Sequence, residues 1–561
     1  MPNGNNPPRT RPMKTPLSFR LFIALVLSAA GLFAAEAKLR LYPDLSAYTR
    51  KVTTASAEAQ RYFNQGLAFK YGFDHERAIQ SFQEATRLDP QCAMAWWGIA
   101  NACGPNINLP MVDPDHATLA WDAITKAQAA AGGGTPVEQA LIKAQAARYA
   151  EKYNADRRAL DETYAAAMRA VWHAHPDDAD VGVLFAEAMM DLRPWDQWQP
   201  DGQPQPGTEE VIAALKTVMK LNPDHPMGLH LVIHANEASS TPEVAQAAAD
   251  RLRTQRSLIG HMEHMPSHLD VRVGHWREAV ESNERAVQSD LRYRKEVGEP
   301  LGDLFGYMAH NRHMQAYAAM MTGQSAIALR TIRAMVAELP PGAAVPEEIF
   351  PFVDGFAAMP YEVLVRYGKW DEILAEPAPA EKYVFSRALR LAARGIALAA
   401  QGRPADARAE QAAFLAAREK VPAISFFTNP MPELLAVAEH MLAGEILFRE
   451  GKIDAGLAEL REAVRREDTL RYDEPPGWII PVRHSLGASL VQAGRYAEAE
   501  QVYRADLKKL PSNGWSLFGL AESLEAQGKK VEAKPVREEF KKIWAQADTV
   551  IKSSCFCQPG K

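Results

Sequence analysis

YFNQGLAFKYGFDHERAIQSFQEATRLDP, residues 62–90, carries the clearest structural pattern of this 561-residue chain. A large residue at Tyr62, then Gly66 and Phe69, is followed by Ala78, Phe82, Ala85 and Pro90. Small residues at these places let two antiparallel helices approach, and the aromatic ones fill the gap between them. The next unit continues with Trp96, Ile99 and Ala100. Far downstream, Leu486, Gly487, Leu490, Ala499, Tyr503 and Pro511 repeat the pattern, followed by Leu517, Leu520, Ala521, Leu524 and Ala533. The middle is more degenerate, but turn signals keep the register: Gly323 with Ala328 and Pro340, Gly368 with Trp370, Gly402 with Ala407, and Gly451 with Lys452. No segment alternates apolar and polar residues for long enough to propose a sheet.

This spacing resembles the tetratricopeptide repeat, a 34-residue helix-turn-helix unit. The resemblance implies an all-α fold, an α-solenoid of roughly eleven or twelve stacked helix pairs. The expected organisation is a signal peptide at 1–37, a lead segment at 38–58, the repeat array at 59–545 and a tail at 546–561 carrying a Cys-x-Cys. Segments 104–118, 193–208, 292–306 and 340–354 are rich in Pro, Gly or Asp and read as insertions between pairs.

Histidines follow the repeat. His230 and His234 recur 34 residues later as His264 and His268, with His261 just before the second pair and His310 and His313 in a later unit. Between residues 225 and 313 lie nine of the fifteen histidines, where an even spread would put two or three. In the repeat family the concave face is lined mainly by the second, fifth, ninth, twelfth and thirteenth positions of each unit. Carried over, that places His230 fifth, His234 ninth and Glu237 twelfth, then His261 second, His264 fifth, His268 ninth and Arg272 thirteenth. His310, His313 and Tyr317 fall second, fifth and ninth, and Glu187 and Glu362 take ninth positions in flanking units. The seven histidines are therefore expected to form a surface in the groove, with a carboxylate completing the set or orienting a ring. Pro266 leaves an alternative, in which the helix starts there and His261 and His264 lie on the preceding loop.

Imidazoles with at most a carboxylate suit zinc, copper or iron better than magnesium or calcium. Seven exceed one tetrahedral shell. Two metals, outer-sphere histidines, or an anionic ligand bound at low pH are the alternatives. Further groove contacts are expected from Arg483, His484, Trp515 and Phe518, the last two as an aromatic surface for a peptide. Trp96, Trp97 and the loop from Gly104 to Asn108 read as packing and capping.

The formal charge of −6, Lys+Arg 63 against Asp+Glu 69, leaves no basic footprint for nucleic acid. Arg9, Arg11, Lys14 and Arg20 lead into an apolar run, Leu21 to Ala34, and Ala35-Glu36-Ala37 follows. That is the pattern of a cleaved secretory signal, so an exported, bacterial-type protein, periplasmic or secreted, is expected. Met13-Lys14 opens a more conventional signal of the same kind. No later run is long enough for a membrane span. Of four cysteines, Cys92 and Cys103 flank one helix, too far apart to bridge. Cys555 and Cys557 are expected as exposed thiols that bind metal, oxidise or pair between chains, or else as part of an unstructured tail.

No nucleotide loop, haem-attachment motif or catalytic signature is present. The reading taken is an exported scaffold for a protein or peptide partner, with a metal-binding histidine cluster in its groove, rather than an enzyme. The alternatives are a metalloenzyme using His230, His234 and Glu237 as a two-histidine, one-carboxylate set, and a metal-free interaction scaffold.

Overall fold

A computed structural model describes residues 39–558 apart from 200, 256, 299–303, 343–344, 346 and 348–349. The expected signal segment lies outside the described residues. What is described is all-α apart from a two-residue ribbon, Ser425–Phe426 paired antiparallel with Asn429–Pro430. The helices pack mainly on their neighbours in sequence, as a solenoid requires.

The first pair shows why this sequence folds so. Ser56 accepts from the Ala59 N–H to start the helix Ala57–Tyr71, and Asp74 accepts from Arg77 N–H to start His75–Leu88. Phe82 then wedges between two first helices: a Cβ at Gly66 would sit 2.7 Å from its ring, and one at Gly98 2.6 Å away. At the other end Tyr503 fills the same gap, 2.4 Å from a Cβ at Gly487 and 2.1 Å from one at Gly519. The motif glycines are thus fixed by ring volume. Gly451 and Gly494 serve differently, ending helices at φ of 79° and 77°.

Insertions are shorter than expected. Helices already begin at Pro114 and Phe350, and residues 292–297 complete the helix Trp276–Val297. Of the first segment, Asn106 and Ile107 are buried, and in the second Gln197 is. The lead segment is docked too, with Arg50 bridging Asp178 and Asp180 at 2.8 and 2.6 Å and Tyr48 donating to Asp180.

The tail corrects an expectation. Cys555 and Cys557 are buried and form a disulfide, and the tail is ordered within the last repeats. Asp548 accepts from the Ser325 and Ala326 N–H groups, Ser554 Oγ donates to the His484 carbonyl, and Phe556 packs on Trp515. Cys92 and Cys103 are free and buried at the two ends of the helix Ala93–Ala102.

Candidate metal centre

Four helical segments position the histidines. Pro226–Asn236 carries His230 and His234 and ends at Glu237, Gly260–His264 carries His261 and His264, Pro266–Val273 carries His268, and Leu304–Met321 carries His310 and His313. Proline at 266 brings no N–H, so the chain breaks at Met265 into two short helices. His261 and His264 are therefore helical rather than on a loop.

The histidines are not a surface. Of the seven, none is more than 9% exposed. The former insertions cover them: the Trp195 ring lies 5.3 Å from that of His234, and its Nε1 donates to Asn108 Oδ1 at 3.0 Å. Asn108 Nδ2 in turn donates to the Tyr307 hydroxyl, whose ring sits 4.7 Å from His261. Beneath this belt is a chamber of about 150 Å³, walled by Phe73, Tyr307 and Phe427 and floored by His234, His261, His268 and His310.

Six imidazoles fall into two triads, His230, His234 and His261, and His264, His268 and His310, each offering three nitrogens within 4.8 Å of one another. Ligands 2.0–2.1 Å from a tetrahedral metal sit about 3.3–3.4 Å apart. Nε2 of His261 lies 3.3 Å from that of His230, and Nε2 of His310 lies 3.5 Å from that of His268.

Tautomers follow from the neighbours. Glu237 accepts from Nδ1 of both His234 and His268, at 2.8 Å each. Asn283 spends its Nδ2 donor on the Ala279 carbonyl, so its Oδ1 faces His264 Nδ1 at 2.6 Å and requires a proton there. His264 and His268 thus both carry Nδ1–H when neutral. Their Nε2 lone pairs nonetheless face each other at 2.7 Å. Only a proton or a cation makes that contact favourable. Burial first, then neighbouring His268, pushes the His264 imidazole well below its ordinary value, and burial lowers His268 against the pull of Glu237, which disfavours the proton. The 3.3 and 3.5 Å spacings fit two ligands on one ion, and the 2.7 Å contact opens by about 0.6 Å to do the same.

Burial works to raise the Glu237 carboxyl, but His234 and His268 outweigh it and hold Glu237 as a carboxylate. Glu474, which the sequence reading did not single out, is the opposite case. Burial and then the Glu237 charge push it well above the usual range. It lies 3.1 Å from His268 Nδ1, and neither of its oxygens has a hydrogen-bond partner among the described residues.

The remaining expected residues do not join the cluster. His313 packs between Phe356 and Phe426, with burial alone lowering it to about 3. Glu187 pairs with Lys70, and Glu362 accepts from the Ile479 N–H. Tyr317 is buried against Trp276, and Arg272 binds the Glu237 carbonyl. Arg483 pairs with Asp468, and His484 lies between Arg366 and Asp506. Trp515 is enclosed, its Nε1 donating to the Met320 carbonyl, and Phe518 meets Phe540 edge-to-face. At the C-terminal end the chain's own tail occupies the inner face expected for a peptide.

A tetratricopeptide-repeat family model matches residues 59–92. No curated protein matches the sequence. Among solved structures, the chain is similar to the APC/C hetero-tetramer Cut9–Hcn1, at 11% identity over 86% of this chain and 76% of that one, with a TM-score of 0.31. The human IFIT1 dimer with m7Gppp-AAAA aligns at 13% identity over 88% and 92%, with a TM-score of 0.34. Yeast Tom70 aligns at 10% identity over 86% and 93%, with a TM-score of 0.29.

Proposed function

We propose that this chain is an exported helical-repeat metalloprotein whose two histidine triads hold a pair of transition-metal ions against an aromatic-walled chamber. The observation that carries the reading is the 2.7 Å approach of two Nε2 lone pairs whose rings are both committed to Nδ1–H. Glu237 and Asn283 then act as the outer partners that fix ring orientation at a metal site. Imidazole-only triads favour copper or zinc, and copper(II) binds tightest by general affinity order. Iron held by two histidines and a carboxylate is the weaker reading, because both Glu237 oxygens already accept imidazole protons.

Each triad supplies three nitrogens, one short of a closed tetrahedral shell, and the floor of the chamber is formed by two rings from each triad. Three ligands with one open position is the arrangement of catalytic rather than structural zinc sites. The centre thus suits binding or activating a small molecule, which makes a metalloenzyme the favoured form of this reading. Export is supported by the basic, apolar and small-residue order of residues 9–37 and by the Cys555–Cys557 disulfide. Among the described residues no helix is long and apolar enough to cross a membrane.

A second reading, a scaffold for a protein partner, is favoured by the repeat match at 59–92. Such a partner would dock on outer surfaces, since the buried histidines cannot reach it.

The test is azide added to the Co2+-loaded protein. A change in the cobalt ligand-field spectrum, absent from His234→Ala/His268→Ala, is expected of an open position. An unchanged spectrum in a fully loaded protein would mean closed shells and a structural role.

A further inference from the structure

A second cluster of ligand-type atoms lies far along the chain from the histidines. Glu445, near the C-terminal end of the helix Met431–Arg449, is 1% exposed, and its Oε1 has no hydrogen-bond partner among the described residues. Its other oxygen receives only a long contact, 3.4 Å, from Gln558 Nε2. A buried carboxyl left so poorly paired costs stability unless something else meets it. Two sulfurs lie close to it. Glu445, Cys555 and Cys557 each offer a ligand atom, all within 4.8 Å.

The tail is built to hold the sulfurs there. Phe556, between the two cysteines, seats its ring against Trp515, and Ser554 and Gln558 on either side bind the His484 carbonyl and Ser489. The Ser485 hydroxyl lies 3.4 Å from Cys555 Sγ and 3.8 Å from Cys557 Sγ. Arg449 grips the Cys557 carbonyl and supplies positive charge beside Glu445. These anchors do not depend on the sulfur–sulfur bond, so the thiols of a reduced tail stay beside the carboxylate.

We propose that Cys555, Cys557 and Glu445 form a second cation site, closed as a disulfide and opened by a dithiol reductant, that takes zinc through two thiolates and one carboxylate. In the opening step the reductant's two thiols become its disulfide, while the protein disulfide takes up two electrons and two protons. Zinc then displaces both thiol protons. Zinc–sulfur bonds of about 2.3 Å and zinc–oxygen bonds of about 2.0–2.2 Å put such donors about 3.5–3.8 Å apart; the carboxylate already lies within 4.8 Å of both sulfurs, and the sulfurs, bonded in the closed form, part to that spacing once reduced. Two soft thiolates distinguish this site from the imidazole triads, which lack sulfur.

The proposal stands apart from the histidine centre, and sulfur gives it a separate signal. The full chain, in His234→Ala/His268→Ala form to silence the triads, is reduced with a dithiol, freed of reductant under anaerobic conditions and titrated with Co2+. One equivalent with a thiolate-to-cobalt charge-transfer band is expected, displaced by Zn2+ and absent from the oxidised protein. Glu445→Gln should weaken binding by about tenfold or more, while Cys555→Ser/Cys557→Ser abolishes the band. No band in protein shown by thiol titration to be reduced would overturn the site. So would a disulfide that the dithiol fails to open, or unchanged affinity in Glu445→Gln, and wild-type helical circular dichroism in each variant establishes that it is folded.

Discussion

Replacing Glu237 by Gln tests the electrostatic logic of the centre with almost no change of volume. The carboxylate accepts two imidazole protons, from His234 and His268, at 2.8 Å each. A glutamine offers one acceptor and one donor. Its Oε1 can keep one ring as it is, but its amide N–H then meets the Nδ1 of the other. That ring must move its proton to Nε2 and so withdraws its lone pair from its triad. Loss of an outer partner at a metal-bound histidine typically costs about 10–100-fold in affinity, or about 1.4–2.7 kcal/mol. The rings belong to different triads, so only one of the two ions should be weakened. Chelator competition followed by elemental analysis reads this directly: one equivalent released at lower chelator than the other, from a protein of wild-type helicity. Release of both ions as in the wild type would refute the assignment of Glu237 as the group that sets both tautomers.

Asp180 is held below its ordinary range, burial opposing the change and His225, Arg50 and Tyr71 producing it. A depressed carboxyl contributes its stability above the unfolded value near 3.9 and loses it as pH falls toward the folded one. Asp180→Asn should therefore cost about 3–5 kcal/mol at pH 7, with the gap to wild type closing below about pH 4, as followed by denaturant unfolding. Lys70 and Glu187 are a buried pair, each side chain 4% exposed. Lys70→Met alone should cost about 3–5 kcal/mol, and adding Glu187→Leu should restore most of it; a double variant as unstable as the single would show that the pair itself is stabilising. Trp515→Ala empties a fully buried site under Arg366 and Phe556 and should cost about 3–5 kcal/mol. Limited proteolysis should then cut the tail beyond Asp548 first; a tail as resistant as the wild type's would separate its anchoring from Trp515.

The fold was legible because its signals are local. Gly66 and Gly487 are demanded by the aromatic rings of Phe82 and Tyr503, so the sequence carries both the hole and the knob, whereas Gly98 and Gly519, which the same rings demand, were not singled out. The histidine cluster was legible because a 34-residue step in a solenoid becomes lateral adjacency, which brings His234 and His268 ring centroids to 5.2 Å. Burial was not legible. The covering groups come from residues 108, 195, 307 and 427, and a family position scheme that assumes an open groove has no place for insertions that fold inward. Glu474 was missed for the same reason, since its loop reaches His268 from more than two hundred residues away. His313 fits the register as well as His310 does, yet its ring meets Phe356 and Phe426 instead. Only the packing of a later helix and the ribbon decides between them.

Two cations are expected to sit between these imidazoles. Elemental analysis of tag-free mature protein from its native compartment, beside His234→Ala/His268→Ala, tests it most directly. Two equivalents of copper or zinc, lost in the variant, are predicted. A protein that holds no metal in either form, even after reconstitution, would contradict it.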